Sequence, residues 1–481
     1  MRNITIPFLS VALLSLVFGC SALKTSQQDQ NLQLPSTYEA VTLDTSANMA
    51  LLSWQAFFED PKLQQLIQTA LQYNQDNLIT LERIRIAQAN YRIARVGFLP
   101  EVNAFAGASR RKFGDYTMDG VGNEDTNLSA SVPEDKRIPD PYRDFITGAE
   151  FSWELDVWGK FRNRKKAASA RLMASQEIAS LVKTKLISEV AGSYFKLMGL
   201  DEELHILEEN IALQELAYKL TLDLKAAGKE NQLAVDQFEA LLLNSKALLI
   251  QKQRQLKSEE LYMSTLLGRY DWEHPRSQLA AALNQFSTIE VGLPAAMLQF
   301  RPDIRMAERE LVAAKADVNS ARAAFFPSLN LYGMAGFNAF DFGKLFFNPA
   351  SVFWQLGSGL SAPIFNRGAI RAAYQTAESS QKIAWTNYEQ VVFRSYIEVL
   401  DLVNQLQTFE QQLKFKTQEV NVQKRSVDNS NTMFSVGYAN YLEVLNAQSR
   451  ALQAEIERIE LQTLQLQTKV NLYRALGGGW L

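Results

Sequence analysis

The sequence predicts a mainly α-helical, internally duplicated chain that also carries a membrane β-barrel portion. Two stretches of roughly sixty residues keep an apolar position at every seventh residue, which is typical of a long helix packed against a partner helix. Short segments in which apolar and polar residues alternate precede each stretch. The same order of elements occurs twice, which indicates one structural unit repeated along the chain.

The composition is that of an ordered, core-forming protein. Of the 481 residues, 47% are apolar and 21% are charged. Glycine and proline number only 23 and 13, which suits long helices with few interruptions. A net charge of −3 argues against a general nucleic-acid binder, so no nucleic acid is expected among the partners.

The first twenty residues have the pattern of a cleaved export signal. Arg2 is their only charge, and the apolar run from Ile4 to Phe18 is too short to span a membrane. Cys20 follows and is the only cysteine in the chain. The segment resembles a lipoprotein signal, so we expect Cys20 to be acylated as the first mature residue. The alternative is an ordinary signal peptide with a coincidental cysteine.

The duplication is visible as paired motifs. Residues 94–100 match residues 321–327, and each of these segments ends in proline. Further along, the two copies keep a constant spacing of 209 positions, so the extra residues of the first copy fall in one elongated loop. Pairs at that spacing are Gly159 and Gly368, Glu189 and Glu398, Gly228 and Gly437, and Gly268 and Gly477.

The helical stretches predict two long hairpins. Sixty residues of helix form a rod of roughly 90 Å, which cannot bury its apolar stripe inside a compact globule. The segment after Gly228 or Gly437 can fold back as the antiparallel partner, which sets these glycines at the hairpin tips. The seven-residue series are Val190, Leu197, Leu204, Ile211 and Tyr218, then Val392, Val399, Leu406, Leu413, Val420, Val427 and Phe434.

The alternating segments predict strands of a membrane barrel. In 145–157 and 352–364, apolar side chains occupy one face and polar or small ones the other, as between lipid and a wet lumen. A half-buried strand of a soluble sheet has the same period. Two hairpins supply only four strands, whereas such barrels need about eight or more. Since open sheet edges cannot face lipid, a spanning barrel must be shared between subunits.

Several motifs identify a family. The segment Arg301-Pro302-Asp303-Ile304, the later Ala321–Leu329, and Leu155–Gly159 resemble signatures of the outer membrane factor family, the TolC-like exit ducts. The resemblance extends over nearly the whole chain and is closest to the lipoprotein branch that serves resistance-nodulation-division (RND) multidrug pumps. Further matching segments are Trp54–Leu63 and Ser435–Gln448.

The resemblance implies a homotrimer with a twelve-stranded β-barrel in the outer membrane and a barrel of twelve coiled helices in the periplasm. It implies a passive exit duct for drugs or toxic compounds, lipid-anchored, with a periplasmic adaptor, an RND-type inner-membrane pump and outer-membrane lipid as partners. The longer loop, about 109–143, would face the cell exterior, and its counterpart is about 338–351. Two alternatives remain open: the exit duct of a type I protein secretion system, and a coiled-coil structural lipoprotein without a pore.

The expected organisation follows the two copies. Residues 61–268 form the first repeat, with a β-hairpin at about 100–157, and 302–477 form the second, with a β-hairpin at about 327–364. The remaining segments are the signal peptide 1–19, an extended N-terminal segment 20–60, a linker 269–301 and a flexible tail 478–481.

The resemblance also implies a gate beyond the second tip, where acidic residues narrow the pore and select cations. The matching positions are Glu443 and Asn446, beside Leu442. Asn446 departs from the aspartate common among relatives, so fewer charges are expected here. The alternative is a solvated helix face. Gly228 and Gly437 resemble adaptor-docking tips, although a helix turn alone would also require glycine.

The signature Arg301-Pro302-Asp303 predicts the start of a helix, because proline suits the first helical position and Asp303 adds negative charge to the first turn. A substrate-facing role is the alternative.

No residue pattern indicates catalysis. Neither His205 nor His274 stands near cysteines or clustered carboxylates, which a zinc site would need. Phosphate-loop and nucleophile-elbow patterns are absent from the sequence. The sequence therefore predicts no enzyme, no cofactor and no metal. One basic run follows the second strand and is expected to contact lipid phosphates: Lys160, Arg162, Arg164, Lys165, Lys166 and Arg171.

Overall fold

The structure is a computed structural model that describes residue 35 and residues 51–270, 274–283 and 294–480. Cys20, the expected signal peptide and most of the N-terminal segment lie outside the described residues. From residue 51 onward the chain is mainly helical, with one four-stranded sheet.

The first half of the described chain begins with three helices, continues through two strands and ends in a long helical hairpin. A 3-10 turn at Glu134–Lys136 lies between the strands. The elements are α1 (Trp54–Phe57), α2 (Pro61–Tyr73), α3 (Gln75–Val96), β1 (Glu101–Arg111), α4 (Met118–Leu128), β2 (Tyr142–Leu155), α5 (Lys160–Ala226) and α6 (Gln232–Leu267).

The second half repeats the order of helix, two strands and long helical hairpin. It also contains 3-10 turns at Pro294–Ala296 and Phe342–Lys344. The elements are α7 (Leu279–Leu283), α8 (Met297–Phe300), α9 (Pro302–Ala323), β3 (Ser328–Ala339), β4 (Val352–Ser361), α10 (Ala369–Ser435) and α11 (Tyr441–Ala475).

The sheet is antiparallel throughout, in the order β1-β2-β3-β4. Ala149 of β2 lies opposite Ala104 of β1 and Ala335 of β3, which fixes the register of three strands. Among the described residues, β1 and β4 each pair on one side only. On β4 the apolar side chains of Trp354 and Leu356 are 77% and 70% exposed, so one face of the sheet is apolar and uncovered.

The two long helices have equal length, 67 residues each. Gly159 (φ 78°) and Gly368 (φ 79°) adopt the left-handed conformation just before α5 and α10, which glycine permits without a Cβ clash. Asp156 further secures the start of α5, because its carboxylate oxygens accept the backbone N–H groups of Phe161 and Arg162, both at 2.9 Å. The returning helices α6 and α11 contain 36 and 35 residues.

The predicted seams are packed. Val190, Leu197 and Val399 are 0% exposed, and every other member of the two seven-residue series is buried or half-buried. In the described residues no helix has the length and apolar character needed to cross a membrane.

A buried core lies where α1 and α2 meet the middle of α5 and the end of α11. Tyr194 and Phe195 of α5 are almost fully buried there. The ring of Phe57 stacks on that of Tyr473, with centroids 4.0 Å apart, and the Tyr194 hydroxyl donates to Asp60 at 2.6 Å. This core anchors the N-terminal helices against the last helix.

Several boundaries differ from those predicted. The strands end at Leu155 and Ser361, two and three residues before the approximate hairpin ends at 157 and 364. The longer loop, between β1 and β2, contains the helix α4, which was not predicted. Residues 54–57 are helical rather than extended.

The final glycines are packed rather than flexible. Gly477 (φ 98°) ends the last helix as expected, but a Cβ there would lie 2.6 Å from the backbone of Phe300. The Trp480 indole N–H donates to the Phe300 carbonyl at 2.9 Å. The prediction of a flexible tail is therefore wrong for residues up to 480.

Candidate gate at the hairpin tips

Both hairpin tips are built in the same way. After α5, Gly228 (φ 71°) takes the left-handed conformation and the Lys229 N–H donates to the Leu224 carbonyl at 2.9 Å. After α10, Gly437 (φ 80°) does the same and the Tyr438 N–H donates to the Met433 carbonyl at 2.8 Å. This bond closes a Schellman turn, which satisfies carbonyls at the helix end.

An asparagine then starts each returning helix. The Asn231 side-chain oxygen accepts the Ala234 N–H at 3.0 Å, and that of Asn440 accepts the N–H groups of Leu442 and Glu443 at 3.0 and 3.2 Å. Such side chains replace the missing acceptors at a helix N-terminus. The tips therefore have defined turns rather than loose loops.

The tip glycines lie in open space. A Cβ built on Gly228 or Gly437 meets no described atom within 4 Å. Positive φ alone therefore accounts for glycine at both positions within one chain, as the helix-turn interpretation expects. The surface around both glycines is free for contact with another molecule.

The predicted gate residues share one exposed face of α11. Leu442 is 42% exposed, and Glu443 and Asn446 are exposed as well. Positions 442, 443 and 446 fall within about 100° of the helix circumference, because each residue turns the helix by roughly 100°. The three side chains therefore lie side by side, with the carboxylate in the first helical turn.

The opposite face of α11 is anchored to the other hairpin. Val444 and Leu445 pack with Phe238 of α6 in a buried cluster, in which Phe238 is only 3% exposed. Half-buried apolar side chains complete it: Ala217, Tyr218, Leu241, Phe434 and Tyr441. The orientation of the candidate gate thus depends on a contact between the two hairpins, which the sequence did not reveal.

The corresponding turn of the first copy has the opposite character. Ala234 stands where the second copy has Glu443, and it is fully buried. A carboxylate at that position would be desolvated, which is strongly unfavourable. Only the second hairpin therefore offers an exposed acidic residue at this turn.

A groove of about 1230 Å³ separates the two hairpins near the tips. Three leucines of α5 line it and remain largely exposed: Leu213, Leu216 and Leu220. Across from them lie Val427 and Phe434 of α10. This surface was not predicted from the sequence. The three leucines are nevertheless spaced by three and four residues, which is typical of a second apolar stripe beside the predicted seam.

Charged side chains hold the second hairpin together. The Lys416 ammonium contacts Glu457 of α11 at 2.7 Å, and Lys424 pairs with Glu455. The hydrogen bonds that Lys416 donates to Glu419 and Glu457 raise the pKa of its ammonium group above the ordinary value. The bond from Lys416 lowers the pKa of the Glu457 carboxyl.

A second group joins both hairpins. Lys252 of α6 contacts Glu203 of α5 at 2.6 Å and Glu460 of α11 at 3.2 Å. Burial tends to lower the pKa of Lys252, but the two carboxylates outweigh this and raise it. Lys252 therefore remains charged at neutral pH and links three helices.

The signature residues form a buried structural cluster. Pro302 is the first residue of α9 and Asp303 lies in its first turn, as the sequence predicts. The Arg301 guanidinium contacts Asp303 at 2.7 Å and Glu398 of α10 at 2.8 Å, and donates to the Ala475 carbonyl at 2.7 Å. With only 7% of its side chain exposed, Arg301 ties three helices together rather than facing a substrate.

Among the described residues, no group of three or more histidine, cysteine, aspartate or glutamate side chains is arranged to hold a metal ion.

Comparison with known families gives one matching model, described as outer membrane efflux protein, over residues 66–269 and 293–478. Among curated proteins, the pyoverdine export outer membrane protein OpmQ of Pseudomonas aeruginosa is 31% identical over 98% of this chain and 97% of its own length. The cation efflux system protein CusC of Escherichia coli is 28% identical over 91% of this chain and 90% of its own length.

Solved structures show the same fold. The outer-membrane channel OprN superposes with a TM-score of 0.82 at 26% identity, covering 94% of this chain and 99% of its own. A structure of CusC superposes with a TM-score of 0.80 at 27% identity, covering 93% and 99%. These matches confirm the resemblance that the sequence motifs indicated.

Proposed function

The chain belongs to the outer membrane efflux protein family, and we propose that three copies of it form the passive exit duct of a tripartite efflux pump. Members of this family are channels of the outer membrane rather than enzymes. The duct would receive its cargo from an inner-membrane RND-type pump through a periplasmic adaptor.

The observation that carries the proposal is the sheet with two unpaired edges. Among the described residues, β1 and β4 each lack a neighbour on one side, and one face of β4 is apolar and exposed. Unpaired strand edges are too costly in lipid, so the sheet must close against other copies. Three copies of four strands give a twelve-stranded barrel, within the range known for outer-membrane barrels.

The element lengths support this arrangement. Strands of 10 to 14 residues are long enough to cross a bilayer when tilted, which takes about 9–11 residues. Each long helix of 67 residues reaches about 100 Å at 1.5 Å per residue. The two hairpins are the arms of the proposed repeats 61–268 and 302–477, and three copies would supply twelve helices for a periplasmic barrel.

The gate is proposed at the first turns of α11. Glu443, Asn446 and Leu442 lie on one exposed face, and threefold symmetry would present each of them three times around the axis. Three carboxylates in a narrow pore favour cations and disfavour anions. The Phe238 cluster on the opposite face would hold the closed orientation.

The tips are proposed as the adaptor-docking surface. Gly228 and Gly437 lie in open space on rigid turns, beside the leucine-lined groove between the hairpins. Rigid turns lower the entropic cost of docking. Cys20, the expected first residue of the mature chain, is proposed as the lipid anchor.

The cargo is proposed to be small molecules rather than a secreted protein. The two curated relatives described above are named for pyoverdine export and cation efflux, and both cargoes are small solutes. A secretion duct remains the second candidate on the basis of the shared fold alone.

The test is deletion of the protein followed by growth on dyes, detergents, antibiotics, metals and iron-limited medium. We expect sensitivity to at least one small-molecule class, restored by the wild-type gene and not by a variant truncated before the second hairpin. The purified protein should form heat-resistant trimers that conduct ions in planar bilayers. A monomer without conductance would contradict the proposal, and loss of a secreted protein alone would favour the secretion duct.

A further inference from the structure

A basic cleft of about 430 Å³ opens where α3, α5 and α9 meet. Four cationic side chains line it, three from the start of α5 and one from α9: Arg162, Lys165, Lys166 and Arg309. Tyr91 and Ser169 add hydroxyl groups, and Ala170, Met173 and Val312 form an apolar wall. Acidic side chains are absent from this lining.

The cationic groups of the cleft are incompletely neutralised. Arg162 pairs with Asp156 at 3.1 Å, which leaves part of its guanidinium fork exposed. The Lys165 ammonium lies 5.9 Å from the Phe98 ring centre. The Nε atom of Arg309 is buried and has no hydrogen-bond partner in the part of the chain that the structure describes. A buried donor left unsatisfied is destabilising, so an anionic acceptor within reach of this guanidinium would be favourable.

Aromatic side chains mark the membrane boundary next to the cleft. The Trp153 indole N–H donates to the Phe98 carbonyl at 2.7 Å, and Trp158 stacks on Phe326 with centroids 4.8 Å apart. Tryptophan and other aromatic residues concentrate at the ends of membrane strands, at headgroup level. The cleft begins immediately beyond this belt, since α5 starts at Lys160.

The start of α5 lies close to the expected headgroup layer. A bilayer has a hydrocarbon core of about 30 Å within a total of about 40–45 Å, so each headgroup layer is roughly 5–8 Å thick. From Lys160 to Lys166 the helix rises about 9 Å. The lysine backbones lie at or just beyond the edge of this layer, and their long side chains can reach back to the lipid phosphates when the strands span the membrane.

The second copy lacks the two lysines of the cleft, which gives an internal comparison. At the positions of Lys165 and Lys166 it has Tyr374 and Gln375. Tyr374 is 3% exposed and packs against Phe325, with ring centroids 5.7 Å apart. The same helix start therefore serves packing in one copy and presents charge in the other.

We infer that this cleft binds the phosphate ester of an anionic phospholipid in the periplasmic leaflet of the outer membrane. The Arg309 fork and the two lysines would contact the phosphate oxygens, because guanidinium and ammonium donors form strong charge-assisted hydrogen bonds with phosphate. The inference rests on the proposed placement of the strands in that membrane. It assigns a lipid to one defined site rather than to the basic run as a whole.

The test is native mass spectrometry of the purified full-length protein with phosphatidylglycerol, phosphatidylcholine or inorganic phosphate. We expect the wild type to retain phosphatidylglycerol in preference to phosphatidylcholine, and the double variant Lys165→Gln/Lys166→Gln to bind it at least tenfold more weakly. The variant Lys165→Arg/Lys166→Arg should retain binding. The matched control is Arg371→Gln/Lys382→Gln, which removes two exposed cations from the equivalent region of α10.

Three results would overturn the inference: equal lipid retention by the wild type and the lysine-to-glutamine variant, an equal loss in the control, or saturation by inorganic phosphate without lipid retention. Trimer mass and conductance are measured on the same samples. Conducting trimers with unaltered lipid binding would refute the lipid site alone, whereas the absence of trimers would refute the proposed function.

Discussion

Phe238 of the first hairpin packs against Val444 of the second in a buried cluster beside the tips. Val444 follows Glu443 directly, so the contact fixes one face of the helical turn whose other face carries the candidate gate. The orientation of this turn of the second hairpin is thereby tied to the first hairpin.

Phe238→Ala should loosen the gate. Removing a buried phenyl ring costs roughly 3 kcal/mol of local packing and leaves Val444 and Leu445 without their partner. We expect larger and noisier single-channel currents and increased entry of large antibiotics. The control is Leu243→Ala on the same helix, where the side chain is 58% exposed. Unchanged currents in a folded Phe238→Ala trimer would contradict the anchoring role.

Glu443→Gln should weaken cation preference with little change in shape. Three carboxylates would be lost from the axis of the trimer, so the reversal potential in a salt gradient should move toward that of a non-selective pore. Glu443→Ala should also raise the leak conductance. Glu239→Gln, an exposed carboxylate on α6, serves as the control. An identical reversal potential for wild type and Glu443→Gln would exclude this residue from the gate.

Gly437→Asn should distinguish the role of Gly437 in the turn from its proposed role in adaptor docking. Asparagine tolerates the left-handed conformation better than other residues, so the turn at φ 80° should persist. The added side chain would occupy the open space at the tip. We expect normal trimers but reduced chemical cross-linking to the adaptor. Cross-linking at the wild-type level would mean that the glycine serves the turn alone.

Acid should weaken the cluster around Arg301. Burial would raise the pKa of Glu398, but the charges of Arg301 and Arg474 outweigh it and hold the pKa below the ordinary 4.5. A lowered pKa gives stability that is present above about pH 4.5 and is lost as the pH falls through the folded-state value. Heat resistance of the trimer should therefore fall as the pH is lowered below 4.5.

The Glu398→Gln variant tests this assignment. It should be less heat-resistant at neutral pH and show a flatter decline in acid, because the titrating carboxyl is gone. Glu208→Gln, at an exposed position of α5, should keep the wild-type slope. Equal slopes for Glu398→Gln and wild type would assign the acid sensitivity to other groups.

Local patterns in the sequence predicted the long helices, the strands and the tip turns. Gly228 and Gly437 each follow a long apolar repeat, and a glycine at a helix end is a local signal. The start of α9 at Pro302 is likewise encoded by neighbouring residues.

Features that depend on distant contacts or weak local propensity escaped prediction. The cluster of Phe238 with Val444 joins residues far apart in sequence, as does the cleft that Arg309 completes with Lys165. Helix α4 contains Gly120 and Gly122, both poor helix formers. It is held by the Thr117 cap and by reciprocal hydrogen bonds between Asn127 and Ile138.

In the proposed trimer, copies of this chain close one barrel through pairing of β1 with β4. The most direct test of this pairing is disulfide formation in whole cells, with Ala106→Cys on β1 combined in turn with cysteines at positions 354–358 of β4. Ala149→Cys/Ala335→Cys, directly opposed within one chain, is the intrachain control.

At one or more positions, we expect covalent trimers on denaturing gels that revert to monomers on reduction. Monomers at every position, with the intrachain control fully oxidised, would contradict it.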